Sequence, residues 1–464
     1  MIGRRRFHRM SALAAAPWTR QSDPVVVVGA GLAGLRAAGV LRQAGRRVVV
    51  LEARDAPGGR VRTIRAPFDE GLYGEAGPVR IPGMHQTVLQ LVRDYRLTLV
   101  PFASPNGSAL VNVGGRTARS PEGMKEAAAA LALSADEQGL TQGALLQRYL
   151  GELPADLSDP AASADSYAKW DSYDRVTWPE WLRSRGASPG AVTLMTLGGD
   201  SRELSALYVL RQVALLRNTT QFFKIQGGMD LLPRAMAKSL GPIVRYRSAA
   251  VRIDQTAGTV RVDYVEQGRT RTIRASHVVL AIPFSTLRQV EVRPAFSSAK
   301  TRAIDDMPYF PATRVLLQSR TRFWEESDLS GTARTDQPAE IWDGAYDVPG
   351  TRGLLAATVG GALGHTLAGL SRAEAIKAGT DLVAATFPAM RGAFQKGSVY
   401  RWALDPWSRG AFAVFHPGQM TSMMPDVARP EGRIHFAGEH TSAWMGWMEG
   451  ALESGERAAR EVLT

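Results

Sequence analysis

Between Val25 and Glu52 the chain reads as strand, glycine turn, helix and strand. Val25–Val28 is an unbroken β-branched run bounded by Pro24 and Gly29, the pattern of a parallel strand buried on both faces. Gly31 to Ala44 sets Leu32, Leu35, Val40 and Leu41 among small residues, which predicts a helix packed closely on that strand. Arg47–Leu51 repeats the strand pattern. Strand, helix and strand within about 30 residues make a βαβ unit, so the fold class expected here is α/β.

The turn inside this unit is Gly29-Ala-Gly31-Leu-Ala-Gly34. The same glycines alone would also suit a simple packing turn. A strand before them, a helix after them and an acid at the second strand's end point instead to a dinucleotide site. Gly29 permits the tight turn, Gly31 lets the backbone approach a pyrophosphate, and Gly34 lets helix and strand pack. The phosphate charge then sits at the helix N-terminus. Glu52 is placed to accept hydrogen bonds from both ribose hydroxyls, with Ala53 and Arg54 beside it. A second glycine pair, Gly58-Gly59, precedes Arg60-Val-Arg62. It predicts another close backbone approach, with Arg60 available to phosphate and Arg62 a further candidate. A nicotinamide dinucleotide has no use for that extra clamp, whereas a longer dinucleotide does.

The remaining chain is interleaved around this unit. The 464 residues suggest roughly two to four domain-sized units. Hydrophobic residues at 45% and charged residues at 22% exclude a disordered or low-complexity protein. Helical patterns occupy Pro121–Leu150, Pro179–Ser184, Glu203–Leu215 and Ala373–Phe387, and Asp156–Asp165 reads as a polar loop. Residues 243–282 alternate as a set of strands that ends in the buried run His277–Ile282. Further strands are expected at 312–319 and 353–360, a short buried one at Ile434–Ala437, and a terminal helix at Gly446–Leu463.

Cysteine is absent. That excludes disulfides, Cys-ligated metal and a cofactor tethered through a thioether, and no metal site is expected. The formal charge of +12 is partly local, because Arg4, Arg5, Arg6, Arg9 and Arg20 precede the first acid. The rest is too diffuse for a nucleic-acid surface. No run of about 18 apolar residues predicts a membrane span. Gly3–Arg9 followed by the apolar stretch Met10–Ala16 has two readings, a twin-arginine export signal or a basic arm. The compartment is therefore open between cytoplasm and export.

The chain resembles the flavin-containing amine oxidase superfamily. The resemblance rests on G-A-G-L-A-G-L, E-A-R-D, G-G-R-V-R-T and the block Phe436–Ser442 with Trp444–Ala451. Looser matches stand at Gly227–Met229, Ala281–Pro283 and Asp405–Trp407. It implies an extended, non-covalent FAD. Gly438 and Glu439 would lie along its phosphate–ribityl part, and Gly446, Trp447 and Met448 would face its flavin end. Val251 would meet the adenine end through its backbone. The implied organisation is a Rossmann-type FAD domain from 23–66, 218–293 and 398–464. A mixed-sheet and helical substrate domain would come from 67–217 and 294–397, after the arm at 1–22.

Within that superfamily, Tyr73-Gly-Glu75-Ala-Gly77-Pro78-Val79-Arg80-Ile-Pro82 looks like the L-amino-acid oxidase branch. The resemblance implies that Arg80 clamps a substrate carboxylate; a pair with Glu75 or with a cofactor phosphate is the alternative. Trp447 and Phe412 match rings flanking the flavin, and Trp342, Trp402 and Trp407 are candidate walls or packing residues. Glu340 or Asp343 is a candidate partner for a cationic substrate side chain. Relatives usually carry a lysine where this chain has Arg314, with Lys224 a conceivable substitute. Arginine is bulkier and does not deprotonate, so oxygen use or imine handling would differ. His416, His435 and His440 read as packing residues.

The implied reaction is oxidative deamination of an L-amino acid, with molecular oxygen or another acceptor regenerating the flavin. A non-amino-acid amine, or a biosynthetic cyclisation, are the rival readings. A homodimer is compatible with the resemblance.

Overall fold

The computed structural model describes residues 23–102, 107–120, 129, 131–162, 164–256, 258–337 and 339–464. The basic arm at 1–22 and most of 121–130 lie outside the described residues.

Five parallel strands form the central sheet, in the spatial order Val244–Arg245, Val48–Leu51, Val25–Val28, His277–Leu280, Ile434–Phe436. They come from four distant parts of the chain, so the sheet exists only after long-range assembly. The four valines show why the run is unbroken. Val25 and Val27 pack into a core with the helix Leu32–Gln43 and the terminal helix Met448–Leu463. Val26 and Val28 face the opposite core, with Val262, Phe284 and Phe436. Each fully buried valine contributes about 1.5–3 kcal/mol, and both faces of the strand are covered. The two helices touch so closely that a Cβ on Gly455 would lie 2.2 Å from the Ala33 carbonyl oxygen.

A four-stranded sheet (Arg269–Ala275, Val260–Glu266, Ser248–Gln255, Glu291–Arg293) leans on this unit. A separate seven-stranded sheet runs Phe394–Arg401, Thr313–Ser319, Gly353–Val359, Ala339–Asp343, Leu329–Thr335, Ser108–Val113, Arg116–Ser120. Its pairs are antiparallel except that joining Leu329–Thr335 to Ser108–Val113. The helix Arg372–Thr386, opened by a Ser371/Glu374 capping box, packs Val383 and Ala384 on one face of this sheet. The other face turns its Arg314 end toward the central sheet. Helices Gln142–Leu150, Trp178–Ser184, Pro189–Met195 and Ala206–Leu216 send residues such as Leu145, Trp178, Leu194 and Leu207 into the core that Val26 and Val28 face.

Two expectations cross the observed pairing. Strand Phe394–Arg401 runs through the expected boundary at 398. Strand Phe222–Ile225, expected with the nucleotide domain, pairs with Ile81–Pro82 and Leu99–Pro101. The expected polar loop 156–165 is also more ordered than its composition suggests. Ala155–Ser158 forms a helical turn because Leu157 is buried and the buried Arg211 guanidinium donates to the carbonyls of Asp156, Leu157 and Asp159. Among the described residues, no helix is long and apolar enough to cross a membrane.

Candidate active site

A cavity of about 690 Å3 runs from the mouth of the central sheet to the face of the seven-stranded sheet. It begins at the glycine turn. Gly31 is open on the cavity side, with nothing within 4 Å of a Cβ placed there, and Leu32 and Ala33 at the start of the helix also line it. Gly34 faces away from the cavity. A Cβ there would sit 1.9 Å from the Gly29 carbonyl oxygen, so its role is close packing of helix on strand. Gly58 donates to the Ala30 carbonyl at 2.9 Å, and Gly59 lies against Gly31. The second glycine pair is thus docked on the first.

Glu52 is buried at the end of its strand. Its Oε2 accepts from the Ala30 amide at 2.7 Å and its Oε1 from the Arg54 amide at 2.8 Å. Burial pushes its carboxyl upward, and these amides oppose the shift. The two arginines expected beside the cofactor are partly engaged by protein. Arg54 pairs with Asp405, which also accepts from the Trp407 amide and Tyr400 hydroxyl. Arg60 donates to Glu439 at 2.6 Å; Glu439 also accepts from the amides of Ala413 and Gly446. Arg62 stacks over Tyr400 and does not line the cavity.

Ala53, Gly77, Pro78, Val79, Val251, Gly438, Gly446 and Met448 line the cavity together with Glu52, Arg54, Arg60 and Glu439. Trp447 stands immediately before the terminal helix and donates its indole N–H to Gln212 at 3.2 Å. His85 lies edge-on between Trp444 and Trp447, and burial pushes it down to about 4, so it is neutral. Glu449, in the first turn of the terminal helix, accepts from the Thr87 and Val88 amides that open the helix Gln86–Asp94. Two helix starts are thereby tied together beside Trp447.

The other end is walled by aromatic rings and floored by charge. Phe412 stacks on Phe310, their centroids 5.1 Å apart, and both line the cavity with Tyr208 and Trp402. Neighbouring strands place Glu340 opposite Thr358 and Thr358 opposite Arg314, so the three form one row across the sheet. Arg314 donates to the Thr358 hydroxyl and, at 3.0 Å, to the Gly77 carbonyl. Its Nε is buried without a partner among the described residues, and burial pushes the guanidinium down to about 10. It therefore stays charged near neutral pH.

Arg80 reaches the same floor from the loop above. Its Nη1 donates to Glu340 at 2.9 Å, and its guanidinium lies near the rings of Phe102 and Phe222. Glu75, the partner considered from sequence, bonds Thr63 and the Met229 amide instead. Burial raises the Glu340 carboxyl, but Arg80 outweighs it and holds the group below the usual range.

Several residues lie where the sequence did not put them. Trp342 does not line the cavity. It packs behind Arg314, whose guanidinium sits 4.7 Å from the ring centroid, and among Leu72, Leu316 and Leu354. Asp343 is buried beside Arg322, and Glu340 is bonded to Arg80, so neither stands free for a cationic side chain. Lys224 is buried on Asp347 and the Gly344 carbonyl, outside the cavity. The sequence reading missed Thr358, Phe310, Tyr208 and Gln212. The last two stand four apart on the helix Ala206–Leu216, a one-face spacing that was readable; Thr358 is revealed only by strand register.

The cavity thus runs from an open glycine turn, past a buried acid and a second glycine pair docked on the first, into a chamber walled by aromatic rings. The chain belongs to the flavin-containing amine oxidoreductase family, whose model matches residues 32–463. An L-amino-acid oxidase of Vipera ammodytes ammodytes is 30% identical over 471 residues, covering 96% of this chain and 93% of that protein. Among solved structures, cyclohexylamine oxidase from Brevibacterium oxydans IH-35A matches with a TM-score of 0.80 at 24% identity, over 95% of this chain and 99% of that one. Wild-type putrescine oxidase matches with a TM-score of 0.80 at 22% identity, over 96% and 99%. These structures share the fold. The cofactor is FAD, and the residues present fit it: an open glycine cradle, a buried acid at the strand end, and one cavity whose lining extends from Gly31 and Glu52 to Trp447 and Phe412. No cysteine is there to tether it.

Proposed function

We propose that the protein catalyses oxidative deamination of L-amino acids: amino acid, oxygen and water give a 2-oxo acid, ammonia and hydrogen peroxide. The observation that carries this reading is Arg80, a guanidinium on the cavity wall near the rings of Phe102 and Phe222, with a single N–H donated to protein among the described residues. A guanidinium fork binds a carboxylate with geometric specificity.

In this reading the FAD domain is 23–66, 218–293 and 398–464, and the substrate domain 67–217 and 294–397. Glu52 would hold the ribose, the two glycine turns the pyrophosphate, Gly438 and Glu439 the ribityl stretch. The Trp447 and Met448 amides, at a helix N-terminus, would face the flavin edge. When bound, FAD supplies a two-electron acceptor for hydride from the amine-bearing carbon. Arg80 anchors the carboxylate. Phe412 and Trp447 confine the amine-bearing carbon and exclude water. Arg314 keeps a fixed positive charge at the floor, held by Thr358 and Gly77.

A rival reading is favoured by one contact: Glu340 already occupies part of Arg80, as would suit a simple amine with no carboxylate. Anaerobic addition of L-amino acids and simple amines, followed by air, separates the two. Bleaching of the visible flavin band by amino acids, with recovery and peroxide on aeration, is the expected result. Arg80→Ala should then raise KM for amino acids ~10–100-fold, the loss of a charged hydrogen-bond pair. Unchanged amino-acid kinetics in that variant would sink the reading. Bleaching without recovery would point to another electron acceptor and to Arg314.

A further inference from the structure

We propose that Glu340 is an internal carboxylate that competes with the substrate's for Arg80, and so determines which ligands this end of the cavity accepts. The inference rests on the amino-acid reading above. Glu340 lines the cavity, and its Oε1 sits 2.9 Å from Arg80 Nη1. That is the distance at which an incoming carboxylate would bind a guanidinium. Arg80 donates no other hydrogen bond among the described residues. Phe102 and Phe222 lie 5.9 and 5.5 Å from its guanidinium carbon, so aromatic contacts position it independently of Glu340.

The neighbouring cation is not a substitute partner. Arg314 is turned to the Thr358 hydroxyl and the Gly77 carbonyl. Arg334, opposite Glu340 in register, bonds the neutral Gln142 and helps hold the Glu340 carboxyl down, but it does not line the cavity. The floor therefore carries two cavity-lining cations, Arg80 and Arg314, against Glu340. One substrate carboxylate brings it to balance. A second carboxylate on the substrate would meet Glu340 with no third cavity-lining cation on this floor among the described residues, and like charges in a buried site repel strongly. The residue thus selects monocarboxylate amino acids over amino dicarboxylates.

Benzoate, a carboxylate that carries no oxidisable amine, tests the competition directly. It is titrated into the holoenzyme and followed by the visible flavin spectrum. Glu340→Gln removes the charge at nearly constant shape, and Glu340→Ala removes the competitor outright. Both are expected to bind benzoate about tenfold more tightly than the parent, the effect of deleting one charge-assisted competitor. In kinetics, KM for L-leucine should fall while kcat moves little, and turnover of L-glutamate should rise relative to L-leucine. Benzoate binding that is unchanged or weaker in both variants overturns the proposal. Its failure is separable from that of the amino-acid reading, which falls if the parent enzyme is reduced by simple amines and by no L-amino acid, whatever the benzoate series shows.

Discussion

At the scale of single residues, the site is built from groups that are already half satisfied. Glu52 accepts two backbone amides and still faces the cavity. Glu52→Gln places an amide N–H2 where an acceptor is needed. We expect FAD affinity to fall ~10-fold or more, since hydrogen bonds to a charged group contribute ~1.5–3 kcal/mol. Fluorescence titration of the apoprotein with FAD measures this, and an unchanged dissociation constant would contradict the ribose role. Glu439 shows the same economy: it orients Arg60 while capping Ala413 and Gly446. Such residues were readable as important, because their motifs are dense. Their partners were not. Arg60 looked free for phosphate, and only the fold shows it bonded to an acid 379 positions away.

At the scale of elements, helix ends and close packing carry the site. The helix Leu32–Gln43 must lie against its strand for its N-terminus to open on the cavity. Gly34→Ala forces a Cβ to within 1.9 Å of the Gly29 carbonyl oxygen, a backbone atom that cannot swing aside. We expect a loss of ~1–3 kcal/mol, the usual magnitude for overpacking, together with loose FAD, since the shift moves the turn itself. Urea unfolding of the apoprotein and retention of yellow colour through gel filtration check the two effects. The elements most visible in sequence were those with strong local patterns: the valine strand, its helix and the terminal helix. Strands Leu329–Thr335 and Ala339–Asp343 were missed. In each, polar residues such as Arg334 and Glu340 interrupt the apolar run, and their places were set by neighbouring strands.

At the scale of the whole molecule, buried charge links distant segments. Lys300 on the helix Ser298–Asp306 is fully buried, donates to the Val427 carbonyl at 2.9 Å and lies 3.7 Å from the Phe436 ring centroid. It joins two helices to the last strand of the central sheet. Burial pushes it down to about 7 from 10.5, with Glu431, Asp426, Arg457 and Arg429 as secondary influences. The unfolded chain keeps this proton up to its higher pKa, whereas the folded protein releases it near 7. Between those limits the unfolded state binds more protons, so this group makes stability rise with pH. Below about pH 7 its destabilising effect is fully present. Lys300→Met should flatten the rise in the holoenzyme's melting temperature from pH 7 to 10, relative to the parent measured identically. Parallel curves would show that the lysine does not titrate in this way.

The sequence by itself determined the α/β class, the glycine turn, the acid at the end of the second strand and the flavin-type blocks at both ends. Each is encoded by residues close in the chain, where period, glycine placement and a fixed spacing carry the geometry. The tertiary structure alone decided which charges meet. Arg80 and Glu340 stand 260 positions apart, and the row Glu340–Thr358–Arg314 comes from three strands whose register the whole sheet sets. Trp342, two residues from Glu340, fell behind Arg314 rather than into the cavity for the same reason. Local patterns show which face of a strand is apolar. Which atom a polar group reaches depends on its neighbours across the sheet, and those are fixed only when the segments assemble.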